Sequence, residues 1–226
     1  MDYLKKIIIE IRYKDVTPMF DIWGNLIKSL TGNSQIPSLG GQIPPQSLQI
    51  KLNDRSALVV VENTRCALST IKITDRDDLK NFSNNIFQKI NNFLKWNQLE
   101  RIGIRTFWID SSELPFDELV SNFKSRIYTG NSLIRDASDA AISLTLYNNE
   151  DRINYNTGPM KKSQLISQFI SEAINDNDFP DTCLFVDTDY IRLVNKEYKS
   201  KYFQNLFDIA FAYSKAKAQE TFNLFK

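Results

Sequence analysis

Residues 100–132 read ERIGIRTFWIDSSELPFDELVSNFKSRIYTGNS, and the N-terminal part of the chain contains a shorter version of the same segment. The matches keep the same order in both places: Ile9-Glu10-Ile11-Arg12 with Ile102-Gly103-Ile104-Arg105, Phe20-Asp21 with Phe116-Asp117, Lys28-Ser29 with Lys124-Ser125, and Thr31-Gly32-Asn33-Ser34 with Thr129-Gly130-Asn131-Ser132. None of these residue types is abundant enough to recur in this order through composition alone. The sequence therefore predicts an internal duplication.

The composition predicts a globular protein with no strong overall charge. Of its 226 residues, 42% are hydrophobic and 12% are aromatic, which is enough to bury a sizeable core. Lys and Arg number 28 against 27 for Asp and Glu, so the overall charge attracts neither nucleic acid nor anionic lipid. A local basic patch is compatible with this balance.

The hydrophobicity pattern predicts no membrane segment. The chain lacks an apolar run of about eighteen residues, the minimum for a spanning helix. The N-terminal stretch YLKKIIIEIRYK alternates too early into charge to be a signal peptide. We therefore expect a soluble, cytoplasmic protein without membrane insertion.

The absence of histidine narrows the available chemistry. Without His, histidine-dependent catalytic triads and His-based metal sites are excluded, and the commonest general base is missing. The two cysteines, Cys66 and Cys183, cannot build a disulfide framework. We expect both to be small buried side chains at the starts of equivalent strands, and no cofactor is predicted.

Hydrophobic periodicity predicts the same order of elements in each half. In the first half it predicts strands at 4–13, 48–53, 57–62 and 66–73, with helices from Pro18 to Gly32 and from Asp75 to Trp96. In the second half it predicts strands at 100–109, 138–147, 151–157 and 182–193, with helices at 115–127 and 196–224 and an inserted helix near 161–174. The segment 31–47 is rich in Gly, Pro and Ser and predicts a long loop.

Two β-α-β-β-β-α units in tandem predict an α+β fold. The simplest arrangement is a single domain in which residues 1–98 and 99–226 share one antiparallel sheet, with the helices mainly on one face. A pseudo-twofold axis then relates the two halves. The saddle of the TATA-binding protein has a similar duplicated order, although an analogy of fold carries no function by itself.

The phrase ERIGIR at 100–105 resembles the E-R-I-G-L-R strand of a sporadically distributed, functionally uncharacterised prokaryotic family. Members of that family also start with an I-x-E-I-R-like strand, here 9–12, and have a late strand ending in D-x-D-Y, here 187–190. The chain has TFW at 106–108 where the family tends to have Y-I-N. The resemblance implies an accessory role in a prokaryotic antiviral defence complex, such as one built around an Argonaute.

Four side chains of the strand 100–109 are predicted to share one face: Arg101, Gly103, Arg105 and Phe107. A glycine between two arginines leaves room for a phosphate or a base, with Phe107 available to stack, and the duplication makes Arg12 the counterpart of Arg105. The favoured interpretation is that the arginines pair with carboxylates of neighbouring strands and that Gly103 marks a bulge or a close helix contact. The alternative is that this set forms a surface that binds nucleic acid or phosphate.

Asp187 and Asp189 point to the same side of a predicted strand, as paired carboxylates that hold Mg²⁺ or Mn²⁺ do. A third oxygen ligand does not stand at a diagnostic spacing. Solvated or arginine-paired carboxylates are therefore the favoured interpretation, and no metal site is predicted.

The last predicted helix carries more aromatic side chains than one face of a sheet normally covers. Phe203, Phe207 and Phe211 form a stripe along it. We expect this stripe to bind a partner chain or a second copy, together with three residues of the 31–47 loop, Ile36, Leu39 and Ile43. The alternative is that the helices of both halves enclose the stripe completely.

These features rank three functions. The first is a non-enzymatic assembly or accessory protein that binds a partner chain or oligomerises. The second is a nucleic-acid or nucleotide-binding protein that uses the arginines of the sheet, directly or together with a partner. The third is a metal-dependent enzyme at Asp187 and Asp189.

Overall fold

The computed structural model describes residues 4–14, 23–32, 38–40, 47–52, 56–71, 73, 75–128, 137–169 and 179–225. Within these ranges the chain forms nine strands and five α-helices. The strands are β1 (Leu4–Tyr13), β2 (Ser38–Gly40), β3 (Ser47–Leu52), β4 (Ala57–Glu62), β5 (Arg65–Thr70), β6 (Leu99–Ser111), β7 (Ile142–Asn148), β8 (Asp151–Lys161) and β9 (Thr182–Lys196). The helices are α1 (Trp23–Thr31), α2 (Arg76–Leu94), α3 (Phe116–Ile127), α4 (Lys162–Ser167) and α5 (Ser200–Leu224).

All nine strands belong to one antiparallel sheet, in the order β2-β3-β4-β5-β1-β6-β9-β8-β7. The central strands β1 and β6 lie side by side, and each is flanked by the strands of its own half in descending order. The predicted α+β class and the single antiparallel sheet are confirmed. The short strand β2 was not predicted, because three residues in a Gly- and Pro-rich segment give no periodic pattern.

Alternation along the central strands separates two faces of the sheet. Ile9 and Ile11 of β1, together with Ile102 and Ile104 of β6, point to one face, and each is at most 1% exposed. On this face α1, α2, α3 and α5 contribute to one hydrophobic core. Removing each isoleucine side chain from water contributes roughly 2 kcal/mol to folding, so this face anchors the helices to the sheet.

The ends of the first two helices follow from local chemistry. The Asp75 side chain accepts a hydrogen bond of 2.8 Å from the N–H of Asp78 and caps α2, and Lys95 closes that helix in the left-handed conformation. α1 ends in the same way at Gly32 (φ 60°), whose N–H donates to the Lys28 carbonyl at 3.0 Å. The predicted helix start at Asp75 and the predicted helix end at Gly32 are confirmed.

Two predicted helix boundaries differ from the structure. The strand β9 continues to Lys196, so α5 begins at Ser200. The strand β8 continues to Lys161, and α4 ends at Ser167, whereas the predicted helix over 161–174 extends into residues outside the described ranges. Strand pairing with neighbours lengthens β8 and β9, and periodicity along one strand does not reveal such neighbours.

Cys66 and Cys183 are both buried, as predicted, but they lie on opposite faces of the sheet. Cys66 is paired with Ile11 and belongs to the helix-covered core. Cys183 packs in a second, smaller cluster that includes Phe107 and Leu165 of α4. Each cysteine lies at the start of its strand, and β5 and β9 occupy matching places beside the central pair, but the two side chains point to different faces.

The aromatic stripe of α5 is enclosed within the chain. Phe203 and Phe207 are fully buried, and Phe211 is 8% exposed. Phe203 packs edge-on against Phe87 of α2 with ring centroids 5.5 Å apart, and Phe211 packs against Trp108 of β6 at 5.8 Å. The structure thus corresponds to the alternative of complete enclosure, and these rings are not available to a partner chain.

The loop residues that were expected to join this stripe are only partly described. Ile36 and Ile43 lie outside the described ranges, and Leu39 is described only by its place in β2.

None of the described helices, α5 included, has both the length and the apolar character needed to cross a membrane.

Candidate nucleic-acid interface

The face of the sheet opposite α1, α2, α3 and α5 carries arginines on three neighbouring strands. Arg12 of β1 lies directly opposite Arg65 of β5 on one side and Arg101 of β6 on the other. These side chains are 47%, 39% and 27% exposed, respectively. Arg105 shares the same side of β6, and we call the surface formed by these four residues the arginine face.

Like charges directly opposite each other destabilise a sheet, and here Glu10 compensates them. Its carboxylate accepts a hydrogen bond from Nε of Arg12 at 2.8 Å, and it lies 3.0 Å from Nη2 of Arg101 and 3.6 Å from Nη1 of Arg65. Arg65 also pairs with Glu62 at 2.6 Å. Among the described residues, two carboxylates thus form the ion pairs of these three guanidinium groups, and the charge of Asp189 also interacts with Arg101.

Arg105 forms a bidentate pair with Asp187 of β9. Its Nε and Nη2 donate to the two carboxylate oxygens at 2.8 Å and 2.6 Å. The Asp187 side chain is 8% exposed and that of Arg105 is 48% exposed, so the cation is the accessible partner. Hydrogen bonding to Asp187 raises the pKa of Arg105, which is charged at any physiological pH.

Asp189 lies directly opposite Arg105 and beside Gly103. Burial raises the pKa of Asp189, and the charges of Arg101 and Arg105 offset that effect only in part. A methyl group added at Gly103 would lie 3.5 Å from Nη2 of Arg101 and 3.5 Å from Oδ1 of Asp189. The space that the sequence assigned to a ligand above Gly103 is therefore occupied by these two side chains.

A small cleft of about 60 Å³ opens beside Arg105. Its lining residues are Lys6, Ile8, Arg105, Phe107 and Gln168. The ammonium of Lys6 donates to the Gln168 carbonyl at 2.8 Å. Phe107 is 6% exposed and stacks on a phenylalanine of β9, with ring centroids 5.7 Å apart. It lines the cleft, but it does not offer the free ring face that the sequence predicted for stacking.

Several basic residues of the arginine face were not identified from the sequence. Besides the predicted Arg12, Arg101 and Arg105, the registers of the strands place Arg65 and three further basic side chains on this face or at its rim, namely Lys6, Lys51 and Arg152. Arg65 is the first residue of β5 and lies just before the strand predicted at 66–73, so the predicted alternation of faces did not include it. With these residues, basic groups outnumber the acidic ones described on the same face, which are Glu10, Glu62, Asp187 and Asp189.

Asp187 and Asp189 share the arginine face, and both lie close to arginines. Both oxygens of Asp187 bond to Arg105, so its charge is already compensated. In the part of the chain that the structure describes, no group of three or more Asp, Glu or Cys side chains is placed to hold a metal ion. The arrangement fits arginine-paired carboxylates.

No family model matches the chain, and no curated protein matches it. The function is therefore inferred from the geometry and charge of the arginine face.

Proposed function

We propose that the arginine face binds single-stranded nucleic acid through its phosphates. The observation that carries this proposal is the row Arg65–Arg12–Arg101, which sets guanidinium groups side by side on three adjacent strands. Neighbouring strands lie about 4.8 Å apart, so the row presents positive charge over roughly 10 Å. A phosphate chain that crosses the strands meets all three groups.

Each arginine keeps hydrogen-bond donors for a ligand. Glu10 shares a single carboxylate among Arg12, Arg65 and Arg101, which together carry more N–H donors than it can accept. The Nε of Arg101 is buried and finds no acceptor within the described residues. The exposed N–H donors of these guanidinium groups suit bidentate contact with phosphate oxygens.

Exposed apolar side chains on the same face favour a single strand over a duplex. Leu193 lies opposite Arg101 and is 77% exposed, and Tyr147 lies opposite Arg152 and is 74% exposed. Unpaired bases can pack on such side chains, and Tyr147 offers a ring for stacking. A duplex keeps its bases stacked inside and offers these side chains much less apolar surface.

A titration of a fluorescent single-stranded oligonucleotide at several salt concentrations tests this proposal. For the unmodified protein we expect log affinity to fall linearly with log salt, by roughly 0.7 per phosphate contact. Arg12→Gln and Arg105→Gln, each about half exposed, should reduce the slope by about one contact each. Lys215→Gln removes the same charge from an exposed position of α5 and should leave the slope unchanged.

Two results would overturn the proposal. One is the absence of binding at low salt, and the other is an equal loss of affinity in all three variants. A duplex of the same sequence provides a further comparison. Equal or tighter binding of the duplex would contradict the preference for a single strand and leave phosphate binding intact.

We also propose that the two halves arose by duplication of one β-α-β-β-β-α unit. The descending strand order on both sides of the central pair supports it. Glu10 and Gly103 hold matching positions in the IEIR and IGIR phrases and lie directly opposite each other, so a pseudo-twofold axis would pass between them. A chain made of two copies of residues 99–226 should then melt cooperatively as one unit, and a broad, uncooperative melt would oppose the idea.

An assembly role is the second candidate, and its support lies at one edge of the sheet instead of on α5. The edge strand β7 carries no charged residue and keeps large side chains exposed. The resemblance to the prokaryotic family with the E-R-I-G-L-R strand implies partners in a defence complex, such as one of the Argonaute type. Native mass spectrometry of the protein from its own host tests this role, and a lone monomer would oppose it.

A further inference from the structure

The strand β7 forms one edge of the sheet and has unusual properties for an edge. It pairs with β8 on one side, and within the described ranges no strand pairs with its other side. Its sequence over Ile142–Asn148, ISLTLYN, contains neither a charged residue nor a proline. The strand at the opposite edge, Ser38–Gly40, is only three residues long.

An edge strand presents a row of backbone N–H and C=O groups to any strand that approaches. Proteins usually protect such edges by shortness, by charged side chains or by proline, and β7 has none of these features. Two of its larger side chains also remain in solvent, since Leu144 is 46% exposed and Tyr147 is 74% exposed. The strand therefore has the composition of an interface.

We infer that β7 pairs in antiparallel fashion with β7 of a second copy of this chain. In such a pair, Thr145 faces Thr145 of the second copy, and all seven residues find a partner. Leu144 then faces Leu146 of the second copy on the same side of the sheet. A strand without charged residues suits antiparallel self-pairing. A charged residue near its centre would lie opposite, or nearly opposite, the same charge in the second copy.

The symmetry of this pairing fixes the shape of the dimer. A twofold axis between antiparallel edge strands runs perpendicular to the sheet. The helical layers of the two copies therefore lie on the same side of the joined sheet. Both arginine faces then lie on the other side and join into one surface of twice the width. This inference specifies the partner in the assembly role above and does not depend on the ligand of the arginine face.

Sedimentation velocity of nuclease-treated protein over a range of concentrations tests the pairing. The unmodified chain should form a dimer as its concentration rises. Thr145→Lys and Thr145→Glu should each be monomeric, because equal charges then face each other at the centre of the pair. An equimolar mixture of the two variants should recover the dimer mass, since opposite charges now meet.

A control variant separates this effect from a general effect of charge. Ala212→Lys adds one charge to an exposed position of α5 and should leave dimerisation unchanged. Because Thr145 is exposed, its variants should keep the unmodified circular dichroism spectrum and melting temperature. The inference is overturned if the unmodified chain stays monomeric, if the Thr145→Lys variant still dimerises, or if the mixture stays monomeric. Loss of dimerisation with intact oligonucleotide binding would leave the proposed function standing.

Discussion

Glu10 of β1 lies directly opposite Gly103 of β6, in the central pair of strands of the sheet. Within this pair of residues the compensating carboxylate comes from β1, because the facing residue on β6 has no side chain. The Glu10 carboxylate is 16% exposed and lies within 3.6 Å of three arginines. Removing its charge affects both the stability of the sheet and the positive potential of the arginine face.

Glu10→Gln should weaken the fold and strengthen binding of nucleic acid. We expect a loss of about 1.5 kcal/mol in the free energy of unfolding, because hydrogen bonds to a charged group are lost. The arginines released by the substitution should increase the salt slope for a single-stranded oligonucleotide by about 0.7, the value of one added phosphate contact. Chemical denaturation and the salt-dependent titration measure the two effects.

A matched variant on the helical side provides the control for this prediction. Glu220→Gln removes a carboxylate that pairs with Lys217 on the surface of α5. Exposed ion pairs contribute little, so both stability and oligonucleotide binding should stay close to those of the unmodified protein. Weaker binding by the Glu10→Gln variant would show that the carboxylate, and not the arginines, contacts the ligand.

The two faces of the central strands could be predicted from the sequence, because side chains alternate with a fixed period of two. That period placed Arg101 and Arg105 on one side and Ile102 and Ile104 on the other, as the structure has them. It could not give the register between strands. The structure puts Arg12 opposite Arg101, whereas the repeat only made Arg12 equivalent to Arg105.

The burial of aromatic residues could not be predicted either, because it depends on elements distant in sequence. The alternation of side chains correctly placed Phe107 on the arginine face. However, α4 and the residue that follows it, Gln168, close over that end of the sheet. The stripe of α5 is wider than one sheet face because it also packs against α2. The contact of Phe87 with Phe203 closes that side of the core.

The pair of Asp151 with Arg192 predicts a pH-dependent contribution to stability. Asp151 is 2% exposed and accepts hydrogen bonds from Arg192 and Tyr190. Burial raises its pKa, but the hydrogen bonds and the charge of Arg192 outweigh burial and leave the pKa below its usual value. A carboxyl group with a lowered pKa stabilises the fold above its unfolded pKa, and this contribution is lost as pH falls through the folded pKa.

Asp151→Asn should therefore lower the free energy of unfolding by about 3 kcal/mol at neutral pH, because it leaves the charge of Arg192 largely buried and uncompensated. The cost should shrink as pH falls below about 4, where the unmodified protein begins to lose the same contribution. Denaturant unfolding at neutral and acidic pH measures both values. A cost that is the same at both pH values would contradict the ionic origin of the effect.

Asp189→Asn should change stability in the opposite direction. Burial raises the pKa of Asp189, so the ionised form is disfavoured in the fold above that pKa. Replacing the carboxylate with an amide should leave stability at neutral pH unchanged or slightly higher, and the difference should vanish as pH falls below the unfolded value. The same denaturant experiments apply, and a loss as large as that of the Asp151→Asn variant would show that pairing with Arg101 and Arg105 dominates.

Two glycines in the sheet should respond differently to the same substitution. A Cβ atom at Gly158 would lie 2.6 Å from the carbonyl oxygen of Ala140, so Gly158→Ala forces the backbone apart and should cost about 1–3 kcal/mol. A Cβ atom at Gly103 meets its nearest neighbours at 3.5 Å, so Gly103→Ala should be neutral or gain about 0.5 kcal/mol from reduced chain entropy. Melting curves of both variants measure these changes in stability. Equal losses of stability would show that Gly103→Ala needs more space than the neighbouring side chains leave.

The two thiols should be unreactive in the native protein. Cys66 and Cys183 are fully buried, and burial raises the pKa of both, to about 12 for Cys183, so neither forms the reactive thiolate near neutral pH. Ellman's reagent should detect no thiol in the native state and both after denaturation. The variant Cys66→Ser should give one thiol after denaturation, which assigns the signal. Rapid reaction of Cys183 alone would mean that the cluster around Phe107 and α4 opens in solution, whereas rapid reaction of Cys66 would mean that the helices leave the sheet.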